Sequence, residues 1–327
     1  MRVLVTGGAG YIGSVAVERL LEAGHDVSVL DSLTKGHADA VPDGVRLFDT
    51  DLRDATAVRQ TVQSAKPDAT MHFGAVTVVP DSVRDPGAYY AVNTSGTNNL
   101  LQAMVATGVG RIVLSSTAAV YGSPETALVH EDDPLRPISP YGSSKLMAER
   151  IVEDFAAAHG IEFAVFRYFN VAGATGSRGE NHDPETHLVP SAILAALGRR
   201  EPLTLFGRDY PTPDGTAVRD YVHVLDLVDA HILALESPSR LNTAFNLGAG
   251  TGRSVAEIVA GVEAVSGRPV PLIEGPRREG DPAMLVADCS KAAAVLSWRP
   301  QHSELHEILG SAWNWFQRQS AGVSSHS

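Results

Sequence analysis

Cysteine is almost missing. The one thiol, Cys289, excludes an internal disulfide and a cysteine-built metal cluster, and it gives no sign of an oxidising compartment. Cations are also scarce: 26 Lys plus Arg against 38 Asp plus Glu leave a formal net charge of −12. That balance argues against nucleic acid or an anionic membrane surface as the main partner. An anionic ligand would have to be gripped by local positive groups. Long apolar runs are absent, with no stretch approaching the roughly 18 residues of a membrane-spanning helix, so no membrane partner is expected. Residues 1–5 run straight into a glycine loop, which leaves no room for a secretory leader. A cytoplasmic protein is the expectation, and nothing in the pattern calls for a metal. What the 327 residues do contain is 44% hydrophobic side chains, enough core for one large domain or two smaller ones.

Short β-branched runs at 3–5, 27–30, 45–48, 69–73, 111–115 and 162–167 alternate with helical patterns at 11–23, 54–65, 87–107 and 140–159. This βαβ rhythm predicts an α/β fold with a doubly wound parallel sheet of at most seven strands. After Asn170 the alternation is lost. Gly- and Pro-rich loops at 173–190 and 207–215 surround one helix near 188–198, and further elements follow at 224–236, 245–247, 254–266 and 304–316. The expected division is 1–170 for the sheet domain and 171–327 for a smaller mixed α/β lobe, some segments of which return to the sheet.

Thr6-Gly7-Gly8-Ala9-Gly10-Tyr11-Ile12-Gly13 follows the first strand and opens a helix. Its glycines let backbone N–H groups approach a pyrophosphate at the positive helix end. Asp31 closes the second strand 18 residues beyond Gly13, where a carboxylate can hold a ribose diol and repel a 2′-phosphate. A glycine turn that served packing alone would leave Asp31 unexplained. The cofactor expected in 1–170 is therefore NAD. Asp51 and Leu52, after the third strand, are placed to meet the adenine, although an Asp there also suits a helix start.

Tyr141 and Lys145 stand four residues apart, so on a helix they share one face. The spacing alone is equally that of a surface pair. Ser115-Ser116-Thr117, at the C-terminal end of a strand, supports the chemical reading, because open α/β sheets carry their sites there. A Tyr acting as base near neutral pH must titrate about 3 below its ordinary pKa of about 10, a cost of about 4 kcal/mol. One positive charge at 4–6 Å supplies roughly 3–4 kcal/mol, while burial works the other way. Lys145 together with a cationic nicotinamide would supply two charges.

At this point the chain resembles the extended short-chain dehydrogenase/reductase family and, within it, the UDP-sugar 4-epimerases. The resemblance covers nearly the whole chain. It is carried by TGGAGYIG at 6–13, SSTAAVYG at 115–122, SPYGSSKLMAE at 139–149, RYFNVAGA at 167–174, LFGRDYPTPDGTAVRDYVHVLDL at 205–227, FNLGAGTGRSV at 245–255 and RREGDPA at 277–283. It implies a Rossmann fold, reversible 4-epimerisation of UDP-glucose and UDP-galactose through a 4-keto sugar, and a homodimer built on helices near 87–107 and 140–159. Another nucleotide sugar is the alternative: UDP-N-acetylglucosamine, UDP-glucuronate or a pentose derivative. By the same resemblance Tyr141, Lys145 and Thr117 would be catalytic. Gly7, Gly10, Tyr11, Ile12, Gly13, Asp31, Ser32, Asp51, Leu52, Phe73, Gly74, Ala75, Asn93, Tyr141, Lys145 and Phe169 would meet NAD. Thr117, Tyr141, Asn170, His187, Leu188, Thr204, Phe206, Arg219, Arg278, Asp281 and Leu285 would meet the UDP-sugar.

Departures from the family pattern narrow the chemistry. Ala118 and Ala119 stand where 4,6-dehydratases of the family carry a proton-transferring acid and base, which disfavours elimination. Thr117 replaces a common Ser and keeps the hydroxyl. Thr77 replaces a Lys that often touches the cofactor, and His187 replaces a common Asn. Leu285 stands where a bulky Tyr is associated with rejection of N-acetylated sugars, which implies some activity on UDP-N-acetylglucosamine.

Overall fold

The computed structural model describes residues 1–277 and 281–323. Its strands are β1 (Arg2–Thr6), β2 (Asp26–Asp31), β3 (Arg46–Asp49), β4 (Ala69–His72), β5 (Arg111–Thr117), β6 (Leu128–Val129), β7 (Glu162–Tyr168), β8 (Asn170–Ala172), β9 (Leu203–Phe206), β10 (Val218–His223), β11 (Thr243–Leu247), β12 (Gly252–Ser254), β13 (Leu272–Gly275) and β14 (Met284–Ala287). The helices are α1 (Tyr11–Glu22), α2 (Ala55–Ala65), α3 (Val79–Arg84), α4 (Pro86–Tyr89), α5 (Thr97–Thr107), α6 (Pro140–His159), α7 (Leu188–Ala196), α8 (Val224–Glu236), α9 (Val255–Ser266), α10 (Ser290–Leu296) and α11 (Leu305–Val323).

Seven strands form one parallel sheet in the order β11-β7-β5-β4-β1-β2-β3. The order reverses beside β1, which puts a crevice at the carboxyl ends of β1 and β4. Strands such as β4 and β5 read as continuous apolar or β-branched runs because both faces are covered. On one face Val15, Val17 and Leu20 of α1 pack with Leu227 and Val228 of α8. On the other, Val58 and Val62 of α2, Leu100 and Met104 of α5 and Val152 of α6 close the core. Apart from the edge strand β3, which is partly exposed, the sheet is thus a buried layer between helices, with its strand ends open to ligands.

Local signals set the helix ends. Ser139 caps α6 by accepting from the Gly142 amide at 3.2 Å, Pro140 sits in its first turn, and Gly160 ends it in a left-handed conformation at φ 72°. Ser254 and Glu257 form a reciprocal capping box on α9, at 3.0 and 2.7 Å.

The pattern over 87–107, read as one helix, is broken. Tyr90–Gly96 winds as a π turn between α4 and α5. Within it Asn93 accepts from the Val76 amide at 2.9 Å and donates to the Val76 carbonyl and the Ser144 hydroxyl, both at 3.0 Å. The extra residue per turn is the price of aiming that amide at the loop after β4.

At Phe169 the chain leaves the large sheet. β8 pairs with β10, which is also flanked by β12 and β14, with β6 beyond β14. β9 and β13 make a separate parallel pair. A second core of Ile193, Ile258, Leu309, Trp313 and Phe316 joins α7, α9 and α11. β11 and α8 return to the large sheet.

Candidate active site

The glycine loop is built on close backbone approach. Gly7 has φ 71°, and a Cβ there would lie 2.6 Å from the Gly74 amide nitrogen. A Cβ at Gly13 would lie 2.0 Å from the Gly7 carbonyl. Gly10 caps α1 without a side-chain bond, and no acidic residue occupies the first turn. The opening amides of α1, from Tyr11 and Ile12 onward, are therefore left without a side-chain cap, an arrangement that suits an anion. The Tyr11 hydroxyl donates to the Gly173 carbonyl at 2.6 Å, tying the loop to the second lobe.

Asp31 is buried at the end of β2, where its carboxylate accepts from the amides of Ala9 at 3.0 Å and Leu33 at 2.9 Å. Each oxygen keeps a lone pair for a ribose hydroxyl. Ser32 beside it is exposed, its hydroxyl 3.0 Å from that of Thr34. Asp51 turns back on Arg53, whose guanidinium holds its carboxyl below the usual range. The capping role falls to Asp54, which accepts from Thr56 and Ala57, both at 3.0 Å. Leu52 packs so closely on Gly74 and Gly96 that a Cβ on either would fall 2.8 Å from it. Gly7, Leu52, Phe73, Gly74 and Asn93 are thereby gathered at the crevice, with Ala75 in the same loop. Cradles that only glycine can form, an uncapped helix start and a buried carboxylate at the end of β2 together fit NAD.

Thr117 ends β5 and Tyr141 opens α6. They meet because α6 docks on the 118–120 turn, where a Cβ at Gly142 would come within 2.6 Å of the Ala119 carbonyl. The Thr117 side chain stands beside the Tyr141 phenol and favours its charged form, and the Tyr89 ring stands edge-on to Tyr141 at 6.3 Å. One turn along, Lys145 is buried at 4% exposure. His72, buried between the hydroxyls of Thr6 at 2.5 Å and Thr97 at 2.9 Å, is pushed down to about 3 by burial and then by the Lys145 charge. It is a neutral core imidazole.

The titration order differs from the expectation. Burial raises the Tyr141 phenol to about 12, with the Thr117 side chain opposing. Burial brings the Lys145 ammonium down to about 8, with Glu149 opposing. Lys145 therefore loses its proton before Tyr141 does, and in the protein alone it does nothing to lower the phenol.

Two buried carboxylates that spacing did not single out support the site, Glu149 on this helix and Asp220 on β10. Glu149, a further turn beyond Lys145, is fixed by the buried guanidinium of Arg167 at 2.8 Å and by the Ser116 hydroxyl. Its repeat of the four-residue step was the available signal. Asp220, fully buried, accepts from the amides of Ala249 at 2.6 Å and of Gly250 and Ala287 at 3.0 Å. Burial still raises it to about 6. No periodicity marks a carboxylate inside a strand.

The remaining residues ring the second lobe. Asn170 opens β8 and donates to the Asp220 carbonyl at 3.0 Å. Arg219 on β10 is paired with Asp281 rather than with its neighbour Asp220, and its register partner on β14 is Leu285. Leu285 and Phe169 pack in one cluster with Ala118. Thr204 and Phe206 lie apart from these on β9. Tyr210, which the sequence did not suggest, has a buried hydroxyl without a hydrogen-bond partner among the described residues, in the field of Asp281 and Arg219. His187 caps α7 just before Leu188. Glu180 and Glu185 hold its imidazole at about 10 against burial, which lowers it. Arg278 lies outside the described residues.

Comparison with known proteins places this geometry. The model of the NAD dependent epimerase/dehydratase family matches residues 3–248. The UDP-glucose 4-epimerase of Lacticaseibacillus casei is 47% identical over 98% of this chain and 98% of its own. The solved structure of the UDP-glucose 4-epimerase of Brucella ovis in complex with NAD is 42% identical with a TM-score of 0.93, covering 96% of this chain and 98% of that one. The UDP-Glc/GlcNAc 4-epimerase of Campylobacter jejuni is 40% identical with a TM-score of 0.84, over 97% of this chain and 99% of that one.

Proposed function

The chain belongs to the NAD dependent epimerase/dehydratase family, and from that premise we propose that it interconverts UDP-glucose and UDP-galactose by reversible oxidation at C4, with Tyr141 as the acid–base. The observation that carries the residue assignment is the placing of Thr117, at the end of β5, beside Tyr141, at the start of α6, with Lys145 one turn beyond Tyr141 and Ala118 and Ala119 following Thr117.

NAD, when bound, would supply the hydride acceptor and donor for oxidation and re-reduction at C4. The start of α1 binds the pyrophosphate, Asp31 the adenosine ribose, and Lys145 the nicotinamide ribose. Tyr141 accepts the proton of the 4-hydroxyl and gives it back after the keto sugar has turned over, while Thr117 keeps the hydroxyl and phenol in line. Arg219 holds the diphosphate in the fork geometry that suits it, which answers the net charge of −12. Alanine at 118 and 119 offers no proton to a leaving hydroxyl, so oxidation is not followed by loss of water.

Because the phenol stands at about 12 in the protein alone, its activation has to come with the bound cofactor. A positive ring 4–6 Å away is worth about 3–4 kcal/mol at an effective dielectric of about 20. Difference spectra between wild type and Tyr141→Phe should show the phenolate appearing at a pH about 2–3 lower with NAD than in protein stripped of it. Coincident titrations would remove the cofactor from the activation of the base.

Acceptance of N-acetylated sugar is a second, narrower reading. It is favoured by Leu285, which lies in the same cluster as Ala118 and Phe169, and by the Campylobacter relative, whose substrates are named as Glc and GlcNAc. The protein is expected to turn over UDP-N-acetylglucosamine, and Leu285→Tyr to lower that kcat/KM about tenfold or more, roughly 1.4 kcal/mol, while sparing UDP-glucose. Equal losses on both substrates would refute the assignment of Leu285.

A homodimer packed through α5 and α6 is supported by the apolar Val105 and Met147 left exposed on them, at 37% and 46%. Among the described residues no helix is long and apolar enough to cross a membrane; a cytoplasmic location and 1–170 as the NAD-binding unit belong to the same proposal.

A further inference from the structure

The segment between β8 and α7 carries a cluster that the proton and hydride transfer at C4 does not use, although its His187 was expected from the resemblance to meet the UDP-sugar. Glu180, His182, Glu185 and His187 each bring one donor atom into a group whose members lie within 4.8 Å of one another. The two carboxylates are inside, with side chains 5% and 6% exposed, and the two imidazoles cover them from the solvent side at 33% and 48%. Both imidazoles turn the same nitrogen inward. His187 Nδ1 is 2.6 Å from Glu180 Oε1 and 3.1 Å from Glu185 Oε1, and His182 Nδ1 is 3.1 Å from Glu180 Oε1 and 3.8 Å from Glu185 Oε2.

Glu185 Oε2 is the informative atom. It is buried and has no hydrogen-bond partner among the described residues, although it faces the cluster and its fellow oxygen accepts from the amides of Thr186 and His187, both at 2.7 Å. A buried carboxylate oxygen left without a donor is costly, and an ion-pair network among these four residues alone leaves it so. A cation at the centre satisfies it.

We propose that Glu180, His182, Glu185 and His187 form a binding site for one divalent transition ion of the zinc class. Two imidazoles and two carboxylates suit a borderline ion, whereas magnesium or calcium favours an all-oxygen set. The carboxylates neutralise its double charge. Size agrees as well: a tetrahedral ion with bonds of about 2.0–2.1 Å separates its ligands by about 3.3–3.4 Å, and the four measured separations straddle that edge.

All four ligands fall within eight residues, so the ion closes a local loop rather than joining distant elements. The loop is already tied to both lobes: the Trp315 indole donates to the Glu180 carbonyl at 2.8 Å, and the Lys35 ammonium to the Asp183 carbonyl at 2.8 Å. A bound ion would fix the segment that leads into α7, whose cap is His187. The role is structural, and it stands whether or not the sugar reading is correct.

The test uses full-length protein without an affinity tag, treated with a chelator and titrated with zinc chloride alone by calorimetry. One equivalent should bind saturably and raise the thermal midpoint, and nickel or cobalt should compete where magnesium does not. His182→Gln with Glu185→Gln should weaken zinc binding by about 100-fold or more, since losing two ligands costs no less than losing outer-shell support. NAD affinity and circular dichroism should be unchanged. If the double variant fails to fold, His182→Gln alone, at a partly exposed position, repeats the comparison. Absence of saturable one-equivalent binding would overturn the site, and so would equal binding by the variant, which would place the ion on others of the 12 histidines.

Discussion

Tyr141→Phe should abolish epimerisation while leaving a folded, NAD-bound protein. Positioned acid–base catalysis contributes about 10²–10⁴-fold, and here one group serves both half-reactions, so kcat is expected to fall by about 10³-fold or more, roughly 4 kcal/mol of barrier. Stability should barely move. The ring keeps its edge contact with Tyr89 at 6.3 Å, and what is removed is the phenol oxygen beside Thr117, whose hydroxyl accepts from the Ala119 amide at 3.1 Å. Two readouts separate chemistry from binding. Turnover measured with a coupled assay should vanish, and the absorbance of reduced cofactor that UDP-glucose elicits in wild type should fail to appear. Activity within tenfold of wild type would transfer the base to another group, with the Thr117 hydroxyl the nearest candidate.

The placement of Thr117, Tyr141 and Lys145 was legible because spacing and strand position together are restrictive. A four-residue step on a helix and a hydroxyl at a strand's carboxyl end place three side chains at one crevice. Its electrostatics were not legible, because they depend on burial. Charge counting makes Lys145 an activator of Tyr141; burial brings the lysine to about 8 and lifts the tyrosine to about 12, so their protons leave in the opposite order from the one the activation requires.

The same distinction runs through the fold. α6 could be read residue by residue from Ser139-Pro140 to Gly160, since capping and the left-handed terminator are local. The π turn at Tyr90–Gly96 could not, because its cause is Asn93 reaching Val76 and Ser144 across the fold. β10 carries no clear strand pattern in the sequence because Arg219 and Asp220 interrupt its apolar run. Both charges are satisfied by partners distant in sequence: Asp281 for the first, and the backbone of 249, 250 and 287 for the second. The capping alternative left open for Asp51 falls instead to Asp54, three residues on, which only the geometry resolves.

Glu149→Gln tests whether the support behind the catalytic helix is electrostatic. The carboxylate is 2% exposed and receives three guanidinium contacts from Arg167, the closest at 2.8 Å, besides the Ser116 hydroxyl. Arg167 is buried as well, and burial works against its charge until Glu149 more than restores it. Neutralising one partner strands the other cation, which costs about 3–5 kcal/mol in comparable buried pairs. The thermal midpoint should fall on the order of 10 °C. Adding Arg167→Met should recover part of the loss, because the stranded charge is then removed; a double variant no more stable than Glu149→Gln would mean that packing, not charge, is at stake. Lys145 supplies the second readout. Glu149 is what holds its ammonium up against burial, so in Glu149→Gln the lysine must titrate below its value of about 8. Its charge is then lost at lower pH, and the alkaline limb of the epimerisation profile should move to lower pH in this variant but not in a destabilised variant remote from α6.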